Sequence, residues 1–179
     1  MAATLFNFDK DAGRIILKEE LQALKGSIIN NMRAANEVAS GRTIASLHVT
    51  DEQERATLWG HFPFGVLETG RKAGKVPYGF GQIILQWLND KGLHGEPIPY
   101  KTNRPHKYSP QERGDLSMAY AIAYTIKQKG SSLHRKGGRA DIYSNVIPAT
   151  LERVRSRFMK FMKLQVEESI KINIKKGNK

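Results

Sequence analysis

The chain has 179 residues, a mass of 20.1 kDa and a net charge of +12, from 29 Lys and Arg against 17 Asp and Glu. That is the size of one ordinary domain, large enough to bury a core without covalent staples. The absence of cysteine excludes a disulfide scaffold, a Cys-based zinc site and a thiol nucleophile.

The first element is a helix from about Asp9 to Ala39. Leu17, Leu21, Leu24, Ile28, Met32 and Ala35 recur every three or four residues and form one stripe. Ser40-Gly41 is its expected stop, because glycine accepts the left-handed conformation that ends helices. The β-branched stretch that follows predicts a hairpin with strands Thr43 to Thr50 and Glu54 to Gly60. Phe64 to Gly70 reads as a short apolar turn or helix, and Arg71 to Pro77 as a basic glycine loop. Phe80 to Asn89 is a helix whose Ile83, Ile84, Trp87 and Leu88 are expected on one buried face, closed by Lys91-Gly92. Prolines 97, 99, 105 and 110 make the next segment an extended connection. Ser109-Pro110-Gln111-Glu112 has the composition of a capping box and predicts a helix to about Lys129, ended by Gly130. Its Ala119, Ala121 and Ala123 suit close packing. Ser131 to Ala140 is a second basic glycine loop. A last helix from about Pro148 carries Leu151, Val154, Phe158, Met162 and Val166 inward. Ile170, Ile172 and Ile174 then alternate as a strand, although Val166, Ile170 and Ile174 also continue a helix. The reading is an α+β domain over residues 1–169, with a basic tail or edge strand at 170–179.

The charge is unevenly placed. Met1 to Tyr100 holds 11 basic and 11 acidic residues, while Lys101 to Lys179 holds 18 and 6. The candidate basic contact surface is Arg135, Lys136 and Arg139 in the second glycine loop with Arg153, Arg157 and Lys160 on the last helix. Neutralising Arg153, Arg157 and Lys160 is expected to leave the fold intact, as surface changes usually do. Such a surface suits phosphates, an acidic protein or a neighbouring subunit.

Catalytic patterns are missing. His48, His61, His94, His106 and His134 show no metal-ligand spacing. Glu68, in an apolar stretch before Gly70 and Arg71, reads as a structural acid that pairs with Arg71 or accepts backbone N–H groups, and it lacks a second group for acid–base work. Gly74-Lys75 is followed by Val76, so no Walker loop is present, and Gly79-Phe80-Gly81 has Ile84 where a dinucleotide fingerprint needs its third glycine. No G-x-S-x-G elbow occurs. The expectation is a protein that is not an enzyme and holds no cofactor or metal. Aliphatic runs such as Ile15-Ile16-Leu17 and Ile83-Ile84-Leu85 fall far short of the ~20 residues that cross a bilayer. Met1 to Phe6 lacks the basic start and apolar stretch of a signal peptide, and Asp9 and Asp11 oppose a transit peptide. Synthesis in a cytoplasm, with no membrane partner, is expected.

The segment Phe64-Gly65-Val66-Leu67-Glu68-Thr69-Gly70-Arg71-Lys72-Ala73-Gly74-Lys75-Val76-Pro77, followed by Gln82-Ile83-Ile84-Leu85-Gln86-Trp87-Leu88-Asn89-Asp90-Lys91-Gly92, resembles tail-completion and neck proteins of tailed bacteriophages, those of crAss-like phages in particular. Ala119 to Gly130 and Asp141 to Ile147 look similar to later segments of the same proteins, so the resemblance spans roughly Arg42 to Val154. It implies an α+β virion protein that forms a homo-oligomeric head–tail connector ring between portal or adaptor and tail proteins, without catalytic residues. By motif, Glu68, Gly70, Arg71, Gly74, Pro77 and Trp87 match the signature segment and are expected to define the fold or an interface. Sequence-blind DNA binding through the basic C-terminal half, including contact with packaged DNA, is the alternative.

Overall fold

The computed structural model describes residues 10–52, 55–102 and 105–177. The fold is α+β, led by a long helix α1, Lys10–Ala34. There follow α2 (Arg42–Ser46), the strands β1 (His48–Glu52) and β2 (Arg55–Trp59), and a 3-10 turn at Phe62–Gly65 that runs into α3 (Val66–Thr69). The rest is helical: α4 (Phe80–Asp90), α5 (Pro110–Lys129), α6 (Ser132–Arg135) and α7 (Val146–Gly177). The chain divides into two compact units, residues 1–32, 46–60 and 141–179 in one and residues 33–45 and 61–140 in the other.

In the first unit the stripe of α1 buries Ile16, Leu24, Ile28 and Met32 with Leu47 and Ile142. Glu20 lies in that same stripe and is 7% exposed. Its charge is tolerated because Arg153 Nε and Arg157 Nη1 of α7 each donate to its carboxylate at 3.0 Å. These bonds, that of Arg153 first, hold the Glu20 carboxyl below its ordinary pKa against the opposing effect of burial. Asn31 Nδ2 donates to the Ile142 carbonyl at 3.0 Å, and the Phe158 ring lies against Gly13, where a Cβ would come within 3.0 Å of it.

Four expectations for α1, the hairpin and α7 are corrected. The helix stops at Ala34, short of Ser40-Gly41, because Asn36 adopts φ 55° and its N–H caps the Arg33 carbonyl at 3.0 Å; Asn enters the left-handed region more readily than most residues. The first strand begins at His48, not Thr43, since the Gly41 carbonyl accepts from Ala45 N at 2.9 Å and sets a helical turn over Arg42–Ser46. The antiparallel pairing runs from His48↔Trp59 to Glu52↔Arg55; Glu54, the expected start of the second strand, lies outside the described residues, as does Asp9. Finally, Ile170 to Ile174 belong to α7 and not to a strand. A helix satisfies its own backbone groups, whereas a strand needs a partner, and the sheet of the described residues holds only β1 and β2. Residues 178–179 lie outside the described residues. Leu151, expected inward, is 62% exposed, and the buried position is its neighbour Thr150.

The core of the second unit is the antiparallel pair α4 and α5, which bury Ile84 and Leu88 against Ala119 and Ala123. The small side chains let the helices approach, as the alanine pattern implied, although Ala121 is exposed. Ile83 and Trp87 are not part of this face: they are 52% and 42% exposed. Residues 83/87 and 84/88 are both apolar stripes at helical spacing, and the alanines face the second. Ser109 caps α5 with Pro110 at the first position, its Oγ accepting from Glu112 N while Glu112 returns a bond to Ser109 N at 2.7 Å. The connection 91–109 is pinned to α5 by Asp115, whose buried carboxylate accepts from Gly95 N at 2.8 Å and from Gln111 Nε2 at 2.9 Å.

Candidate functional site

Two helices of the second unit end alike. Gly70 closes α3 with φ 67° and ψ 178°, its N–H reaching the Val66 carbonyl; Gly130 closes α5 with φ 79° and ψ 172°, its N–H reaching the Ile126 carbonyl. The segments that leave them are the two basic glycine loops, and they lie against each other. Ser131 N donates to the Arg71 carbonyl at 2.8 Å, and Arg71 N donates to Ser131 Oγ at 2.9 Å. The same hydroxyl caps α6 by accepting from His134 N. Gly74 N donates to the Lys127 carbonyl at 2.9 Å, and Arg139 N to the Glu68 carbonyl at 2.8 Å. Segments about sixty residues apart in sequence thus form one surface.

The signature residues divide between those that make this interlock and those that face water. Glu68 is 3% exposed. A Cβ on Gly70 would lie 2.5 Å from His134 N and 2.6 Å from Ser131 Oγ, so only glycine fits. The Arg71 guanidinium donates to the Lys75 carbonyl at 2.8 Å and sits 5.4 Å above the Phe80 ring, which tightens its own loop. Gly74, Pro77 and Trp87 are exposed.

The six cations expected to form one basic contact surface fall into two groups. Arg135, Lys136 and Arg139 stand on the interlocked loops of the second unit, and Arg153, Arg157 and Lys160 on α7 of the first. Three of them already hold carboxylates: Arg139 meets Glu37 at 2.8 Å, Arg153 meets Glu20, and Arg157 meets both Glu19 and Glu20. The expectation that neutralising Arg153 and Arg157 spares the fold is therefore corrected, because it would strand the buried Glu20. Lys160 is exposed. Sequence reasoning missed the exposed Lys72, Lys75, Lys127 and Lys129, which stand on the same interlocked segments as Arg135 and Lys136. The available signal was that two glycine-bounded basic stretches each follow a helix; their pairing through Ser131 has no local code.

Among the described residues no cluster of three or more His, Asp or Glu side chains could hold a metal ion, and no helix is long and apolar enough to cross a membrane. Compared with known proteins, the chain matches no family model, no curated protein and no solved structure.

Proposed function

We propose that the protein is a structural subunit of a tailed-phage neck, assembling with its own copies into a ring that joins portal to tail in the virion. The observation that carries this reading is the amount of large apolar surface left in water. On α4 and α5, the pairs Ile83/Trp87 and Tyr120/Tyr124 each stand one helical turn apart and are 42% to 66% exposed. On α7, Met159 and Leu164 are 67% and 60% exposed. Neighbouring exposed apolar side chains of this kind mark interaction surfaces, which a subunit covers with its neighbours. The residues of the phage-like signature support the same reading, since Gly70 and Arg71 fix the loop while Trp87 is left for a partner.

Native mass measurement and electron microscopy of the purified chain test it, alone and mixed with portal. The expected result is a closed ring, weakened by Trp87→Ala with the urea midpoint little changed, because the indole is already partly in water. A chain that remains monomeric under every condition, portal included, overturns the reading.

A further inference from the structure

The interlocked loops concentrate positive charge beyond anything the core requires. Over residues 68–77 and 127–140 there are eight Lys and Arg and one carboxylate, Glu68, which is buried. Arg71 and Arg139 are used inside the fold. The other six, Lys72, Lys75, Lys127, Lys129, Arg135 and Lys136, are exposed, and no carboxylate among the described residues pairs with them. Like charges brought together in this way repel one another, so the fold gains nothing from them. Between the lysines the backbone is bare: Gly74 (φ 132°) and Gly137 (φ 91°) have no atom within 4 Å of where a Cβ would be. An anionic backbone can approach such turns closely.

We propose that this double loop is a binding surface for the phosphodiester backbone of duplex DNA, read without regard to sequence. Five of the six cations are lysines, flexible point charges that neutralise phosphates but lack the planar fork which reads guanine edges. Of the helices on this surface, α6 has only four residues and α5 contributes only its last turn, so neither offers a recognition helix of the kind that lies along a groove. The inference goes beyond the neck reading and stands without it: it concerns binding by the isolated chain, while the neck reading concerns assembly.

Anisotropy of a labelled mixed-sequence duplex of about 30 base pairs, titrated with the full chain from about 50 to 300 mM salt, gives the number of phosphates neutralised, at a log-log slope of about −0.9 for each. The fourfold variant Lys72→Gln, Lys75→Gln, Arg135→Gln, Lys136→Gln is compared with a variant of equal charge change on α7, Arg155→Gln, Lys160→Gln, Lys163→Gln, Lys171→Gln. The expected result is a slope shallower by about 3 to 4 for the loop variant and by less than about 1 for the α7 variant. Equal changes in the two variants would mean that overall charge alone drives binding and would overturn the proposal. So would displacement of the duplex from the unaltered chain by polyglutamate at matched charge, which would point to an acidic protein partner. Should the fourfold variant unfold at lower urea, Lys72→Gln with Lys75→Gln, both outside any helix, carries the same comparison with a slope change of about 2.

Discussion

Replacing Gly70 by alanine tests the loop interlock directly, because the two penalties at this position can be separated. With φ 67° and ψ 178°, the backbone sits in a region that is essentially reserved for glycine, and holding an L residue there costs about 1 to 3 kcal/mol. The added methyl would also meet His134 N at 2.5 Å, Ser131 Oγ at 2.6 Å and His134 Cα at 3.0 Å. Two of those atoms are backbone and the third is the hydroxyl that accepts from Arg71 N. Relief would therefore break the bonds between the loops, for a further ~1 to 3 kcal/mol of overpacking. The sum, about 2 to 6 kcal/mol, is a large part of the ~5 to 15 that holds a domain folded. Gly74→Ala is the comparator, since φ there is 132° but no atom lies within 4 Å, so it meets backbone strain without the clash. Urea titration followed by circular dichroism and by the fluorescence of Trp59 and Trp87 together measures both. The reasoning is refuted if Gly70→Ala unfolds within about 0.5 kcal/mol of the parent, or no more easily than Gly74→Ala.

Gly26 points the opposite way: it lies inside α1 with open space where a Cβ would go, so Gly26→Ala should stabilise by about 0.5 to 1 kcal/mol in the same titration. The carboxyls of Glu20, Glu112 and Asp115 are all held below their ordinary values, by Arg153, the Ser109 backbone and the Gly95 backbone respectively. Groups shifted in this direction give their full stabilisation above the ordinary carboxylate pKa of about 4 and lose it as pH falls through the lowered values, so the urea midpoint should hold from about pH 7 to pH 5 and drop as the pH falls below about 4. Glu20→Gln should lessen that drop; an unchanged pH profile would show that the Arg153 and Arg157 bonds do not couple to folding. Arg153→Gln with Arg157→Gln should lower the midpoint at pH 7 more than Arg155→Gln with Lys160→Gln, because only the first pair leaves a buried carboxylate without its donors.

Elements whose information is local were legible from sequence. The capping box at Ser109 and Glu112, Pro110 in the first turn and Gly130 past the last one lie within the segment they delimit, and α5 follows them to the residue. Gly70 was legible for the same reason, as a glycine closing a short helix. Where two local readings competed, the outcome was set from elsewhere in the chain. Ile83/Trp87 and Ile84/Leu88 are equivalent by periodicity, and Ala119 and Ala123, some thirty residues later, select the second pair. Ile170, Ile172 and Ile174 alternate like a strand but have no neighbour among the described residues to pair with, so the helix continues. Nothing local marks Glu20 as a buried position, because Arg153 and Arg157, its partners, are more than a hundred residues away. A separation of about sixty residues likewise hid the charged surface, in which the loop of Lys72 and Lys75 is joined to that of Arg135 and Lys136 by bonds such as those between Arg71 and Ser131.

The discontinuous make-up of the first unit has a consequence for the timing of synthesis. Its core joins α1 to Ile142 and to α7, with Asn31 and Ile142 separated by 111 residues. At about 5 to 20 residues per second, the apolar stripe of a newly made α1 waits about 6 to 22 s for its covering residues to leave the ribosome. The second unit, whose α4 and α5 lie wholly within that interval, can close first. During the wait Ile16, Leu24, Ile28 and Met32 are exposed to any other nascent copy, and Glu20, still without its arginines, is a charge set in the middle of that stripe. An acid that is neutralised only when the proper helix arrives opposes premature pairing of two such stripes, much as charged residues guard the edges of unpaired sheets.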